Sequence, residues 1–161
     1  MTYRILVVCT GNICRSPMAE RLLREAAEQE GLADRVEITS GGVSSEEEGN
    51  GIDPRAVRVL EREGIATTGH RAHQVDRQEI ADSDLVLALE HDHLDPLRRI
   101  GGPGTEERLF LLRDFDPDAG EDHGIRDPWY GGLDGFEETR DLIRAAVPGI
   151  LDHARSAVEQ S

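Results

Sequence analysis

Cysteine is scarce in this chain: 161 residues hold two, Cys9 and Cys14. Two cysteines exclude a disulfide framework. In a reducing compartment, a close pair instead points to catalysis, redox chemistry or metal binding. Positive charge is also short, since 33 acidic against 18 basic side chains leave a formal net charge of -15. Such a field repels nucleic acid and anionic lipid, so neither is expected as a partner. The acidic excess reads as a solvated surface, and any site that attracts an anion must be a local exception to it. No apolar run is long enough to span a bilayer. The opening MTYRILVVC has no basic region, no sufficient apolar core and no small-residue cleavage site. A cytoplasmic protein is expected.

The composition, 37% hydrophobic and 32% charged, is that of a folded chain, and 161 residues suit a single domain over 1–161. Tyr3 to Val8 is a short apolar run rich in β-branched residues, which suggests a buried strand. Ser16-Pro17 is a good helix start, with serine as N-cap and proline pre-organised for the first helical position. Apolar residues from Met18 to Ala27 follow at helical spacing, and Gly31 ends them. Val36 to Thr39 is a second strand, and Ser40 to Gly51 is loop. A helix over Pro54 to Glu63 is capped by Asp53 and closed by Gly64. Asp84 to Leu89 is a third strand, and His91 to Arg99 a short helix on which His91 and His93 read as surface residues. Glu107 to Leu112 is a fourth strand, and Asp114 to Gly132 a long Asp/Gly/Pro loop. Asp134 and Glu137 have the spacing of a capping box for the last helix. Phe136, Ile143, Val147 and Ile150 form its apolar stripe, and Pro148 should kink or split it. Strands alternate with helices, which argues for a parallel sheet covered on both faces. Ligands of such sheets collect beyond the carboxyl ends of the strands.

The stretch VVCTGNICRSPMAE occupies that position, after the first strand. Cys9 ends the strand, Arg15 starts the helix, and five residues lie between. A chain wrapping back over that span would turn successive backbone N–H groups inward as an anion nest. The helix terminus adds orphan donors and the positive end of its dipole. Arg15 adds a planar fork for two phosphate oxygens. A thiol in that field is drawn toward the thiolate. Rival chemistries fit less well. Zinc needs about four ligands, and no further ligand pair stands beside the two cysteines. A nucleotide P-loop needs a second glycine and a lysine. A thioredoxin-type pair needs C-x-x-C, whereas this spacing is C-x-x-x-x-C. A buried cysteine at a strand end would explain Cys9 alone, but not Arg15, Asn12 or the Ser-Pro helix start.

CTGNICRSP resembles the active-site loop of low-molecular-weight protein tyrosine phosphatases. TSGG, DPRA, GHRAHQ, DLVLAL and DPWYGG follow in family order, so the resemblance covers nearly the whole chain. It implies a phosphatase I-like, single-domain α/β fold: a four-stranded parallel sheet flanked by helices on both faces, with no metal and no organic cofactor. It implies Cys9 as nucleophile, Arg15 as phosphate clamp, and the backbone of Thr10, Gly11, Asn12, Ile13, Cys14 and Arg15 as phosphate-binding. Asn12, Ser16, Ser40 and His70 match positions that hold the loop in shape, and Ser16 can also bond the Cys9 thiolate. Cys14 is either a second thiol that captures oxidised Cys9 as a disulfide or a core cysteine. The expected partner is a tyrosine-phosphorylated protein or peptide, with phosphate or vanadate as inhibitory anions and the chain acting as a monomer.

A phenolate leaves faster when protonated, so a general acid is required. Asp114, Asp116, Asp118, Asp122 and Asp127 are candidates. DPWYGG favours Asp127: Pro128 stiffens the segment, and Trp129 and Tyr130 can wall an aromatic substrate. The family places its acid at the aspartate of this segment. Ile13, Glu46, Trp129 and Tyr130 would form the substrate rim. Glu46 stands where the family often carries an aromatic residue, and either favours basic flanking residues in a substrate or contacts only water. Glu90 stands where aspartate is common, and His73 at a frequent arginine position. An arginine phosphatase shares the loop, but that branch tends to have threonine where Ile13 stands and lacks the Trp-Tyr pair. An arsenate reductase would need further cysteines. A phosphate-dependent binding module would need neither nucleophile nor acid.

Overall fold

The structure, a computed structural model, describes residues 2–160. β1 (Tyr3–Cys9) is central to a four-stranded parallel sheet of order β2-β1-β3-β4. Only Arg4 of this strand is exposed, as expected for a strand covered on both faces. Its alternation divides the core. Ile5 and Val7 face the layer built by helices α1 (Arg15–Gln29), α2 (Pro54–Arg62) and α5 (Leu133–Glu159), against Met18, Leu60 and Ile150. Leu6 and Val8 face α3 (Arg77–Asp82) and α4 (Leu94–Gly101), against Ile80 and Leu97. Among the described residues no helix is long and apolar enough to cross a membrane.

The chain leaves β1 toward β2 (Val36–Gly42) on one side and later returns as β3 (Leu85–Ala88) on the other. The strand order therefore reverses at β1, and a crevice opens beyond its carboxyl end. Cys9 and the segment after it lie at that end.

Several boundaries differ from the sequence expectation. β2 runs through Ser40 and Gly41 to Gly42, which pairs with Cys9. Glycines weaken the strand signal, yet here they are needed, since a Cβ on Gly42 would stand 2.5 Å from the Thr10 carbonyl oxygen. α3 was not anticipated; Asp76 and Glu79 close a capping box around its first turn. β4 (Leu109–Leu111) is only three residues long, because Glu106–Arg108 and Leu112–Phe115 coil into 3₁₀ turns on either side. A further 3₁₀ turn, Pro128–Tyr130, interrupts the long loop before α5.

The last helix corrects two expectations. Gly132, not Asp134, is its N-cap, and no side chain caps it; Asp134 lies in the first turn, and Glu137 pairs with Arg62 at 3.3 Å. Pro148 does not split it, since one helix runs from Leu133 to Glu159. Pro148 and Arg144, whose carbonyl loses its intrahelical donor, are both exposed, so water can take the vacant acceptor. Gly149, beside the proline, lets α5 close on the turn after β4: a Cβ there would overlap the Phe115 carbonyl oxygen. Gly149→Ala should therefore destabilise the fold by about 1–3 kcal/mol, the cost of overpacking. Gly135→Ala meets only ordinary contact at 3.6 Å and should be neutral or stabilising by up to about 1 kcal/mol through helix propensity. Urea unfolding of the two variants checks the contrast.

Candidate active site

The Cys9–Arg15 loop turns on one residue. Asn12 has φ 62°, the only non-glycine in the left-handed region among the described residues, and it is fully buried. That conformation costs on the order of 1–3 kcal/mol and needs surrounding structure to hold it. Asn12 Nδ2 donates to Ser16 Oγ at 2.8 Å and to Ser40 Oγ at 3.1 Å. The His73 amide donates to Asn12 Oδ1 at 3.2 Å, and His70 Nε2 donates to the Asn12 carbonyl at 2.7 Å. Ser40 in turn donates to the buried carboxylate of Glu20, which Arg24 reaches at 2.9 Å.

The loop's carbonyls are engaged outward. Cys9, Thr10 and Ile13 accept from the amides of Val43, Ser44 and Asp53 at 2.9, 3.0 and 2.8 Å. Peptides with their acceptors turned out present their N–H groups to the inside of the loop, which is the arrangement of an anion nest.

Ser16 departs from expectation. α1 begins at Arg15, its N-cap is Cys14, and no side chain caps it. The Ser16 side chain is buried instead, 3.0 Å from Cys9 Sγ and 3.3 Å from the Gly41 carbonyl. It accepts from Asn12, so its single proton serves either the carbonyl or the sulfur; a thiolate can only accept.

Arg15 is 2% exposed. Its Nη1 donates to Glu90 Oε1 at 2.7 Å and to the Ile125 carbonyl at 2.8 Å. Its Nη2 donates to Thr10 Oγ1 at 3.3 Å and stands 3.6 Å from Asp127 Oδ2. Asp127 is half-exposed, and its other oxygen accepts the Trp129 amide at 3.0 Å. Asp114, Asp116 and Asp122 serve their own turns. Asp114 accepts from Leu111 N and His123, Asp116 from Asp118 N, and Asp122 from Gly124 N. Among the five sequence candidates, only Asp127 pairs with Arg15.

Cys14 is buried, and burial, then the negative charge of Asp53, pushes its thiol far above the usual range. Ile13 is half-buried against the core. Trp129 is 44% exposed and Tyr130 91% exposed at the other edge. Glu46 is exposed, whereas Glu47 lies over the loop: a Cβ on Gly11 would come 3.1 Å from its Cγ. Among the described residues no group of three or more His, Cys, Asp or Glu is placed to hold a metal.

His93 is not a surface residue. It is 2% exposed, and its Nδ1 accepts the Glu90 amide at 3.1 Å. The neutral ring must therefore carry its proton on Nε2, which donates to Thr10 Oγ1 at 2.9 Å. Burial, with the adjacent Arg15 charge, pushes its pKa down to about 3. The run EHDHLDP carries no mark of this, because a 3₁₀ turn (His91–His93) rather than a regular helix turns His93 inward. His91 is exposed, 3.8 Å from Asp122.

A parallel α/β domain that holds a thiol, a buried arginine and a carboxylate around one strand-to-helix loop defines a class of anion-handling enzyme folds. Comparison with known proteins gives the family. The family model described as "Low molecular weight phosphotyrosine protein phosphatase" matches residues 4–160. A low molecular weight protein-tyrosine-phosphatase of Streptomyces coelicolor is 45% identical, the match covering 99% of this chain and 98% of that one. The crystal structure of YfkJ from Bacillus subtilis superposes with a TM-score of 0.91 at 31% identity, covering 98% of this chain and 97% of that one. The YwlE arginine phosphatase, also of B. subtilis, superposes at 0.83 with 31% identity, covering 94% and 95%. The chain belongs to the low-molecular-weight phosphotyrosine protein phosphatase family.

The depressed His93 pKa has a consequence for stability. Below about pH 6.5 an unfolded histidine takes up a proton that folded His93 refuses, so its contribution is complete above that pH and lost as the pH falls. Between pH 7 and pH 5 the loss amounts to at most about 2 kcal/mol. Urea midpoints should fall more steeply over this window in the native protein than in His93→Gln; parallel slopes would contradict it.

Proposed function

We propose that the chain is a protein tyrosine phosphatase that works through a phosphocysteine on Cys9, with Asp127 as general acid and base. The observation that carries this reading is the position of Arg15. One guanidinium touches both the Cys9–Arg15 loop, through Thr10, and Asp127. Arg15 thereby joins the loop that carries Cys9 to Asp127.

In the first step the Cys9 thiolate attacks phosphorus. The S–P bond forms as the P–O bond to the phenol breaks, and Asp127 gives its proton to the leaving oxygen. Loop amides and the Arg15 fork stabilise the equatorial oxygens. Ser16 donates to the sulfur while it carries charge. In the second step Asp127 takes a proton from water, water attacks phosphorus, and phosphate leaves with the thiolate restored. Asn12, Ser40 and His70 hold the loop's shape. Inorganic phosphate and vanadate compete for the same cradle.

The phosphotyrosine assignment is supported by the names of the sequence relatives, by Ile13 at the loop edge and by the Trp129-Tyr130 pair. The likeness to an arginine phosphatase means that the fold alone does not choose between phosphoryl acceptors. Comparison of kcat/KM on matched phosphotyrosine, phosphoserine and phosphoarginine peptides decides it. Phosphotyrosine is expected to lead, and a clear phosphoarginine preference would overturn the assignment.

Cys9→Ser should bind vanadate-like anions yet lose turnover by a factor on the order of 10⁴–10⁶. Substantial residual hydrolysis of p-nitrophenyl phosphate would remove Cys9 as nucleophile. Asp127→Asn should slow phenyl phosphate by roughly 10²–10⁴ and activated aryl phosphates far less. Equal slowing of both would remove Asp127 as acid.

A further inference from the structure

We propose that Arg55 is a positioning residue for the general acid: it bolts the Asp127–Gly131 segment to the phosphate loop and, through Trp129, sets where the Asp127 carboxyl stands. The inference rests on the reading of Asp127 as acid.

Arg55 belongs to the DPRA segment, which the mechanism leaves without a role. Asp53 caps α2 and is 6% exposed, and its own amide donates to the Ile13 carbonyl of the phosphate loop at 2.8 Å. Its carboxylate receives Arg55 Nε at 3.1 Å and Arg55 Nη2 at 3.0 Å. One edge of the guanidinium is thereby fixed to the phosphate loop through a single residue.

The remaining nitrogen serves the acid segment. Arg55 Nη1 donates to the Trp129 carbonyl at 3.0 Å and to the Gly131 carbonyl at 3.1 Å. Among the described residues these are the only hydrogen bonds that tie Pro128–Gly131 to another element. The guanidinium carbon also lies 5.1 Å from the Trp129 ring centroid and 4.6 Å from that of buried Phe136. Trp129 is the residue whose amide holds Asp127 Oδ1 at 3.0 Å. Arg55 therefore pins the carbonyl of the residue whose N–H orients the acid.

Four N–H groups in a rigid fork make this arrangement, and a lysine ammonium with three donors and no planar face does not reproduce it. A residue that only supported the fold would slow all substrates alike. A residue that places the acid slows substrates according to how much they need a proton.

The test measures kcat/KM, which reports phosphocysteine formation and not the second step that both esters share, on phenyl phosphate and on 2,4-dinitrophenyl phosphate, with far-UV circular dichroism and thermal melts confirming the fold. The variants are Arg55→Met and Arg55→Lys, each alone and combined with Asp127→Asn. Arg55→Met should slow phenyl phosphate about tenfold more than the dinitrophenyl ester, a part of the roughly 10²–10⁴ that a positioned acid supplies. Arg55→Lys keeps the charge and the stem, serves if the methionine variant does not fold, and should show the same discrimination at about threefold. Once Asp127 is asparagine, removing Arg55 should cost less than about twofold on either ester, because residues that act as one unit are not additive. Equal slowing of both esters, or a full penalty persisting beside Asp127→Asn, overturns the proposal. If Asp127→Asn discriminates and the Arg55 variants do not, this inference alone falls. If Asp127→Asn itself slows both esters equally, the acid assignment falls and this inference with it.

Discussion

A buried guanidinium organises this molecule. Arg15 is almost fully withdrawn from water, and a cation so placed costs several kcal/mol unless acceptors surround it. Its acceptors come from distant parts of the chain: Thr10 from its own loop, Glu90 from the end of β3, and Ile125 and Asp127 from the segment before α5. The requirement to satisfy one charge thus brings three strand and loop ends to a single point. Two of these partners, Glu90 and Asp127, are carboxylates that flank the guanidinium, in a chain whose formal net charge is -15. The Arg15 fork is fixed locally, and exposed surface charge elsewhere is screened within a Debye length of about 8–10 Å.

A second constraint acts on the loop from beneath. Asn12 adopts a backbone conformation that few residues accept, and its side chain and carbonyl are held by Ser16, Ser40, His73 and His70. These partners come from α1, β2 and the segment after α2. Removing the Ser16, Ser40 or His70 side chain takes a hydrogen bond from a buried polar group, at about 1–3 kcal/mol, whereas His73 contributes its backbone amide. The Cys9–Arg15 loop is therefore held in shape by a polar network under it. Ser16 belongs to that network and also touches the Cys9 sulfur, so loop shape and the Cys9 sulfur are coupled through one hydroxyl.

All 18 basic side chains are arginine, and several do the same mechanical work. Arg108 donates to the carbonyls of Ile80, Ala81 and Ser83; Arg113 to those of Asp122 and Gly124; Arg21 to those of Ala66 and Thr68; and Arg55 to those of Trp129 and Gly131. Arg21, Arg113 and Arg55 each tie a loop by its carbonyls, and Arg108 closes the carboxyl end of α3. A planar fork does this at low entropy per bond. This helps explain how so glycine-rich and acidic a set of loops is held close to the crevice beyond β1.

Local pattern settled much of the architecture before any contact was known. The apolar run of β1, the helix that follows it, and the alternation of strands with helices follow from side-chain periodicity and strand burial. Their parallel arrangement follows from the crossovers. Periodicity also located the Cys9–Arg15 turn at the carboxyl end of the first strand, whereas Asp127 is singled out by the DPWYGG segment and its family resemblance. What local pattern could not reach was every feature that depends on a partner far along the chain. β2 continues through glycines because β1 pairs with it. Ser16 abandons capping because Asn12 and Cys9 offer it buried partners. His93 turns inward because Thr10 and the Glu90 amide accept and supply its protons. Arg55 looks like an ordinary helix residue until Asp53, Trp129 and Gly131 close around it. Periodicity is a property of neighbours in sequence and is legible there, whereas satisfying a buried charge or a left-handed asparagine takes hydrogen-bonding groups 28 to 110 residues away, which only the closed tertiary structure brings into reach.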